Sequence, residues 1–338
     1  MKIILLILLT LIISGSPIMA QQISNRDIME IKKYIGQSRI IGLGEEEHFY
    51  RESNIDRIEI IKRLINEELI NAIVFEYPAT GALVVNEYIH NKIDKSGFLK
   101  ALKQFKKLDG GPFFDNEEMF SFIEWLKNRN RGNNTIEVYG MDFYNYITAI
   151  ENLQKLGNPQ NSLYKIKQTL DTLTYYFRNN PSHLTKKETI DCSIENLSMV
   201  KELLSKVDTS LSPSIRWSAN NLYNYSYWFT DLNNRDSLMF QSFIEIDNTK
   251  KKHLIWAANF HLQNDSLSMP GFTSNLFGNL MTKKYSDQYF KIGVMSANPC
   301  EQDNNKRVFL PATSCGIKNK LDLIILIQKG NKTTSIFD

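Results

Sequence analysis

Glu45, Glu46, Glu47 and His48 follow an apolar run from Arg39 to Leu43, and Glu52 and Arg57 come next on an amphipathic segment. An imidazole with an ordinary pKa of about 6.5 takes or gives a proton at neutral pH, and neighbouring carboxylates fix its tautomer and orientation. That combination is equipment for general acid–base chemistry, and it points to an enzyme. Three more runs also end in polar residues: the second reaches Glu76, the third Asp142, and the fourth Asn259 and His261. Singly, each has a plain structural reading. Asp142 can cap the next helix, and Arg57, flanking the apolar stripe of its helix, can form a surface ion pair.

The elements that must position these groups are six short apolar runs: Arg39 to Leu43, Ala72 to Phe75, Ile136 to Tyr139, His253 to Ala257, Tyr289 to Val294 and Leu321 to Ile327. Most lack the alternation of a half-exposed strand, so both faces must be covered, as in a parallel sheet between helices. Helical spacing appears between them, in Ile55, Ile58, Ile61 and Ile65 and again in Phe120, Ile123, Trp125 and Leu126. The expectation is an α/β fold with a mainly parallel central sheet flanked by helices. In such a sheet the listed polar residues share the carboxyl edge, where α/β proteins bind ligands.

From about 148 to 248 the strands stop and helical patterns take over, which reads as a helical insertion forming a lid or cleft wall. Its last part is rich in aromatic residues, among them Trp217, Tyr227 and Trp228. Two readings stand side by side: a core between helices, and the lining of an apolar substrate pocket.

The chain has 338 residues, 42% of them hydrophobic, and a formal net charge of +3 with basic residues scattered among acidic ones. Without a basic stripe there is no footprint for nucleic acid, so a small-molecule substrate is the expected partner; the oligomeric state is left open. Met1-Lys2, the apolar run from Ile3 to Ile13, Pro17 and the small residue Ala20 have the layout of a secretory signal peptide. The run is shorter than the ~20 residues that span a bilayer. The expectation is cleavage after residue 20, a single α/β domain over 21–338, no stable membrane span, and a periplasmic or secreted location. Cys300 and Cys315 are then the candidate disulfide pair, with Cys192 left over.

Absent motifs narrow the chemistry. No G-x-S-x-G elbow, H-E-x-x-H or G-x-x-x-x-G-K-[ST] follows the leader, which disfavours the usual serine hydrolase, zinc protease and P-loop readings. What remains is proton transfer to or from water, with no cofactor, or a divalent ion held among Glu45, His48, Glu52, Glu76, Asp142 and His261, whose spacing matches no specific metal pattern. A non-catalytic binding protein and a metal- or haem-binding protein are the alternatives.

At this point the residues resemble the erythromycin esterase family. Gly42-Leu43-Gly44-Glu45 with His48, Glu52 and Arg57 is similar to its opening G-E-x-x-H block. Phe75-Glu76, Trp125-Leu126 with Asn130, Gly140-Met141-Asp142, the R-D-x-x-M segment Arg235 to Met239, and Gly271 to Val294 follow in the family's order. The resemblance implies ester hydrolysis, with macrolide lactones as the known substrate class and macrolide resistance as the associated phenotype, and no obligatory metal. It implies that His48 is the general base, that Glu45 and Glu76 orient it, and that Arg57 and His261 stabilise the developing oxyanion or help the leaving alkoxide. One departure stands out: the family's H-N-x-H appears here as Ala258-Asn259-Phe260-His261.

Overall fold

A computed structural model describes residues 24–46, 51–109, 113–132, 135–156, 160–208, 210, 212–247, 251–264, 266–269, 272–295, 309–311 and 321–326. The leader at residues 1–20, His48 and the pairing of Cys300 with Cys315 lie outside the described residues, as does the side chain of Glu52. Cys192 is a free, exposed thiol.

In chain order the elements are α1 (Asn25–Ile35), β1 (Ile40–Glu45), α2 (Arg51–Asn66), β2 (Ala72–Pro78), α3 (Ala79–Ile89), α4 (Lys95–Asp109), α5 (Glu117–Arg129) and β3 (Glu137–Asp142). A helical stretch follows: α6 (Tyr146–Gln154), α7 (Gln160–Asn179), α8 (Lys187–Leu204), α9 (Pro213–Trp228) and α10 (Arg235–Asp247). The chain then forms β4 (His253–Ala258), α11 (Asn259–Leu262), the hairpin β5 (Ser266–Met269) and β6 (Phe272–Asn275), α12 (Phe277–Tyr285), β7 (Tyr289–Met295), β8 (Phe309–Pro311) and β9 (Leu323–Leu326). Each of the six apolar runs is a strand of one sheet, ordered β3-β2-β4-β1-β7-β9-β8. All neighbours are parallel except β8, which runs antiparallel on the edge.

Near-continuous apolar strands need cover on both faces, and they have it. Ile41, Leu43, Ile73, Phe75, Leu254 and Trp256 meet a core built from α1 to α5. The alternate residues Ile40, Val74, Ile255 and Ala257 meet Met239 and Phe243 of α10, Leu262, and Phe277 and Met281 of α12. Each fully buried Ile, Leu or Phe contributes about 1.5–3 kcal/mol relative to exposure, so these two faces hold the fold together. The helical stretch has a third core, centred on Leu163, Leu170, Val200, Leu222 and Trp228.

Topology decides which chain segments meet. After β1 the chain leaves to β2 and β3, passes through the whole helical stretch, and returns to lay β4 between β1 and β2. The residues that leave β4 therefore emerge between Glu45 and Glu76. The turn there is anchored by Asn259, whose Nδ2 donates to Val294 O at 2.9 Å, and by the close seat of α12 on α11. A Cβ at Gly278 would overlap the carbonyls of Leu262 and Gln263, so only glycine lets the two helices approach. Gly278→Ala is expected to cost about 1–3 kcal/mol, as overpacking does, seen as a lower urea midpoint at unchanged m-value.

Candidate active site

Two buried ionic clusters sit at the carboxyl edge of the sheet. Glu45 ends β1 directly opposite Ala258 of β4. Its Oε2 lies 2.7 Å from Arg57 Nη1 and accepts the Trp256 indole N–H at 3.0 Å. Arg57 Nη2 donates to Asn54 Oδ1 at 2.6 Å, and its guanidinium lies over the Trp256 ring at 4.8 Å. Burial lowers the arginine's affinity for its proton, and the Glu45 and Asp56 carboxylates oppose that.

Arg57 is not on the surface: its side chain is 0% exposed. The reason lies in the helical period. Arg57 precedes Ile60, Ile61 and Leu64, all fully buried, and so belongs to the stripe of α2 that faces the sheet. Where that stripe passes the strand end it meets Glu45 instead of an apolar side chain.

The second cluster gathers side chains from four elements and backbone N–H groups from two more. Glu76 Oε1 contacts Arg235 Nη2 at 2.9 Å and His261 Nε2 at 3.2 Å, while its Oε2 accepts the Ala258 backbone N–H at 2.8 Å. Arg235 Nη2 also reaches Asp142 Oδ2 at 2.6 Å. On the far side of the imidazole, Nδ1 lies 2.9 Å from Asp236 Oδ1, and Asp236 Oδ2 is fixed by the Phe277 N–H at 2.7 Å. Asp142 is not a helix cap; its Oδ1 accepts the Phe143 N–H, and Asn145 caps α6 by accepting from Thr148 N.

Proton affinities follow from this arrangement. Burial alone would raise the Glu76 pKa, but His261, Arg235 and the Ala258 N–H hold it well below the usual carboxylate range. Burial alone would lower the His261 pKa, but Glu76 and then Asp236 outweigh it and lift the imidazole to about 9 from 6.5. Arg235 Nη1 sits 3.0 Å from the same Nε2 and opposes a proton there, so the cation rests on its two carboxylates. Arg235 is also pushed up despite burial, by Asp142 and Glu76.

A base held above its unfolded pKa adds stability that is complete below about 6.5 and disappears as pH rises through about 9. The melting temperature is therefore expected to fall across that window, and Asp236→Asn, which removes one of the two carboxylates, to flatten the decline. A flat native profile would show that the imidazole is not held charged.

Glu45 and Arg57 meet, as do Glu76, Asp142 and His261, and the two groups adjoin through Ala258, which pairs with Glu45 and donates to Glu76. The aromatic candidates are packing residues, and Trp228 reaches the edge of the site through an edge-to-face contact with Tyr144 at 5.3 Å. Trp217 is buried against Val74, Met141 and Phe243. Trp228 is in the core of the helical stretch with its Nε1 donating to Leu232 O at 3.3 Å, and Tyr227 stacks on Tyr223. Three residues at the site had no role in the sequence reading: Arg235 and Asp236, legible only as part of the R-D-x-x-M likeness, and Tyr144, whose ring lies 4.9 Å from the Arg235 guanidinium carbon.

Comparison with known proteins decides what this edge belongs to. The family profile described as erythromycin esterase matches residues 65–299, a span that contains Glu76, Asp142, Arg235, Asp236 and His261. The chain belongs to the erythromycin esterase family. It is 21% identical to the putative hydrolase YbfO of Bacillus subtilis, over 92% of this chain and 77% of that protein. It is 25% identical to the erythromycin esterase type II of Escherichia coli, over 31% of this chain and 23% of that protein. Among solved structures, a histidine-to-asparagine variant of the erythromycin esterase EreC in its open conformation superposes with a TM-score of 0.65 at 15% identity, covering 94% of this chain and 97% of that one. A succinoglycan biosynthesis protein superposes with a TM-score of 0.63 at 15% identity, covering 95% and 93%. Membership of this esterase family supports a hydrolase, and a small-molecule substrate fits such a family. Among the described residues no helix is long and apolar enough to cross a membrane.

Proposed function

We propose that the chain is an exported hydrolase that cleaves a carboxylic ester or lactone by direct attack of water, with His48 as the general base. One observation carries this reading: at the strand ends Glu76 Oε1 lies 2.9 Å from Arg235 Nη2 and 3.2 Å from His261 Nε2, and the imidazole Nδ1 lies 2.9 Å from Asp236 Oδ1, so acid and imidazole are already committed to one another. Groups so paired are better placed to stabilise developing charge than to take a proton from water. The proton acceptor must come from elsewhere, and His48 follows Glu45 by three residues.

In this scheme His48 removes a proton from water as the oxygen adds to the acyl carbon. The carbonyl electron pair moves onto its oxygen, where the Arg235 and His261 cations lower the energy of the oxyanion. The tetrahedral species then expels the alkoxide, which takes up the proton His48 had accepted, leaving a carboxylic acid and an alcohol. Arg57, wholly buried on Glu45, acts by fixing that carboxylate, three residues before His48 in sequence. No metal is required: Arg235 Nη2 already bridges Glu76 and Asp142, two of the acids that would have to ligate one.

His48→Asn is expected to lower turnover by at least about 100-fold, in line with loss of a general base, at unchanged melting temperature, and EDTA is expected to have no effect. Retained turnover in that variant would refute the base; loss with EDTA would refute the metal-free scheme. Export is tested by cell fractionation and by an N-terminus that begins at Gln21.

A second reading, a binding protein on the same scaffold, is favoured by Ala258, which stands where the resemblance places a first histidine. It requires ligand recovered unaltered from a tight complex.

A further inference from the structure

Tyr144 is the ring where the charged cluster and the helical layer meet. It follows β3 by two residues, with the Arg235 guanidinium on its face at 4.9 Å. Trp228 packs against it edge to face at 5.3 Å and Tyr225 at 6.3 Å, and Phe143 adds a tilted contact at 5.5 Å. The ring is fixed by four neighbours.

Its hydroxyl is treated differently from those of Tyr146 and Tyr225, its bonded neighbours in the same core. Tyr146 donates to Asp171 Oδ1 at 2.6 Å, and Tyr225 shares a hydrogen bond with Thr174 Oγ1 at 2.8 Å. Among the described residues the Tyr144 hydroxyl has no hydrogen-bond partner, and the side chain is only half-buried. A buried structural phenol finds a partner within the protein. A rigid phenol that keeps its O–H open beside a guanidinium is a donor set out for something that arrives from solution. Burial, with Asp142 and Glu76 close by and only Arg235 opposing, raises its pKa, so the group keeps its proton wherever the enzyme works.

We propose that Tyr144 is a substrate-contacting residue whose phenol donates a hydrogen bond to the oxyanion formed as water adds to a carboxylic ester seated on the Arg235 side of the cluster. This rests on the hydrolase reading above. The new carbon–oxygen bond comes from water, the carbonyl electron pair becomes the oxyanion that accepts from Tyr144, and the alcohol leaves with its bonding pair and the proton released by water. Tyr144 keeps its own proton throughout. Its contribution belongs to the transition state, because the donor is aimed at charge that the ground-state ester does not carry.

Tyr144→Phe keeps every ring contact and removes only the O–H. With p-nitrophenyl butyrate, kcat is expected to fall about 100-fold, the scale of losing one oxyanion donor, with KM and melting temperature unchanged. Calorimetric binding of ethyl phenylphosphonate, a tetrahedral anion that needs no turnover, is expected to weaken about tenfold or more. Equal turnover and equal phosphonate affinity in the two proteins would overturn the role of Tyr144 while leaving the hydrolase intact. A parallel fall of turnover and melting temperature would assign a packing role and also overturn it. If the native protein cleaves no ester but binds the phosphonate more tightly than Tyr144→Phe, the donor stands and the hydrolase reading falls; phosphonate bound by neither, or equally by both, overturns the donor.

Discussion

Arg235→Leu is expected to destabilise the protein by about 3–5 kcal/mol, because it strands buried carboxylates that now share one guanidinium. Glu76 and Asp142 are 8% and 3% exposed, and both rest on Arg235 Nη2. Without that cation two buried carboxylates lose their shared partner, and His261 is left to balance Glu76 alone. The urea midpoint reads the loss. Adding Asp142→Asn to Arg235→Leu removes one of the stranded charges and is expected to recover part of it, which simple loss of packing would not do. Arg235→Lys is not a rescue: one ammonium cannot span two carboxylates while covering the Tyr144 ring as a planar guanidinium does. If Arg235→Leu unfolds at the native midpoint, the cluster is not the buried network described.

Arg57→Leu is the second large effect, and its double variant separates stability from function. Glu45 is 2% exposed and Arg57 0%, so losing the arginine takes the guanidinium from a buried carboxylate and is expected to cost about 3–5 kcal/mol. Replacing both, as Glu45→Leu with Arg57→Leu, removes the desolvated pair and is expected to return stability to within about 1 kcal/mol of native or above it, since apolar pairs of similar volume commonly match buried ion pairs. Turnover is expected to stay lost, because the carboxylate that orients the proposed base is gone. An active double variant would show that Glu45 has no part in the chemistry.

The sheet was legible because β1, β2, β3, β4, β7 and β9 carry apolar residues on both faces, a pattern that only a doubly covered parallel sheet tolerates. From that alone the convergence of Glu45, Glu76, Asp142 and His261 followed. The order of the strands was not legible. That β4 returns between β1 and β2 depends on how the helices from α6 to α10 pack, which no local pattern states. Arg57 was hard to place because a cation next to an apolar stripe reads as a surface group; only the partner across the helix, Glu45, reveals it as buried. Arg235, Asp236 and Tyr144 were given no role for a different reason. They belong to a helix start and a loop, where position in sequence carries little about which carboxylate lies opposite. The aromatic density of α9 proved ambiguous because rings that fill a core and rings that line a pocket have the same composition: Trp217 and Trp228 pack inside, while Tyr144, from the separate aromatic run Phe143-Tyr144-Asn145-Tyr146, lies against the Arg235 guanidinium.

The most direct test is hydrolysis in heavy-oxygen water by the purified protein, across p-nitrophenyl esters and macrolide lactones, with the products weighed by mass spectrometry. Direct attack of water on the acyl carbon predicts products heavier by one water in total, with a single heavy oxygen in the carboxylic acid and none in the alcohol. Label in the alcohol, or no product from any ester or lactone, would contradict it.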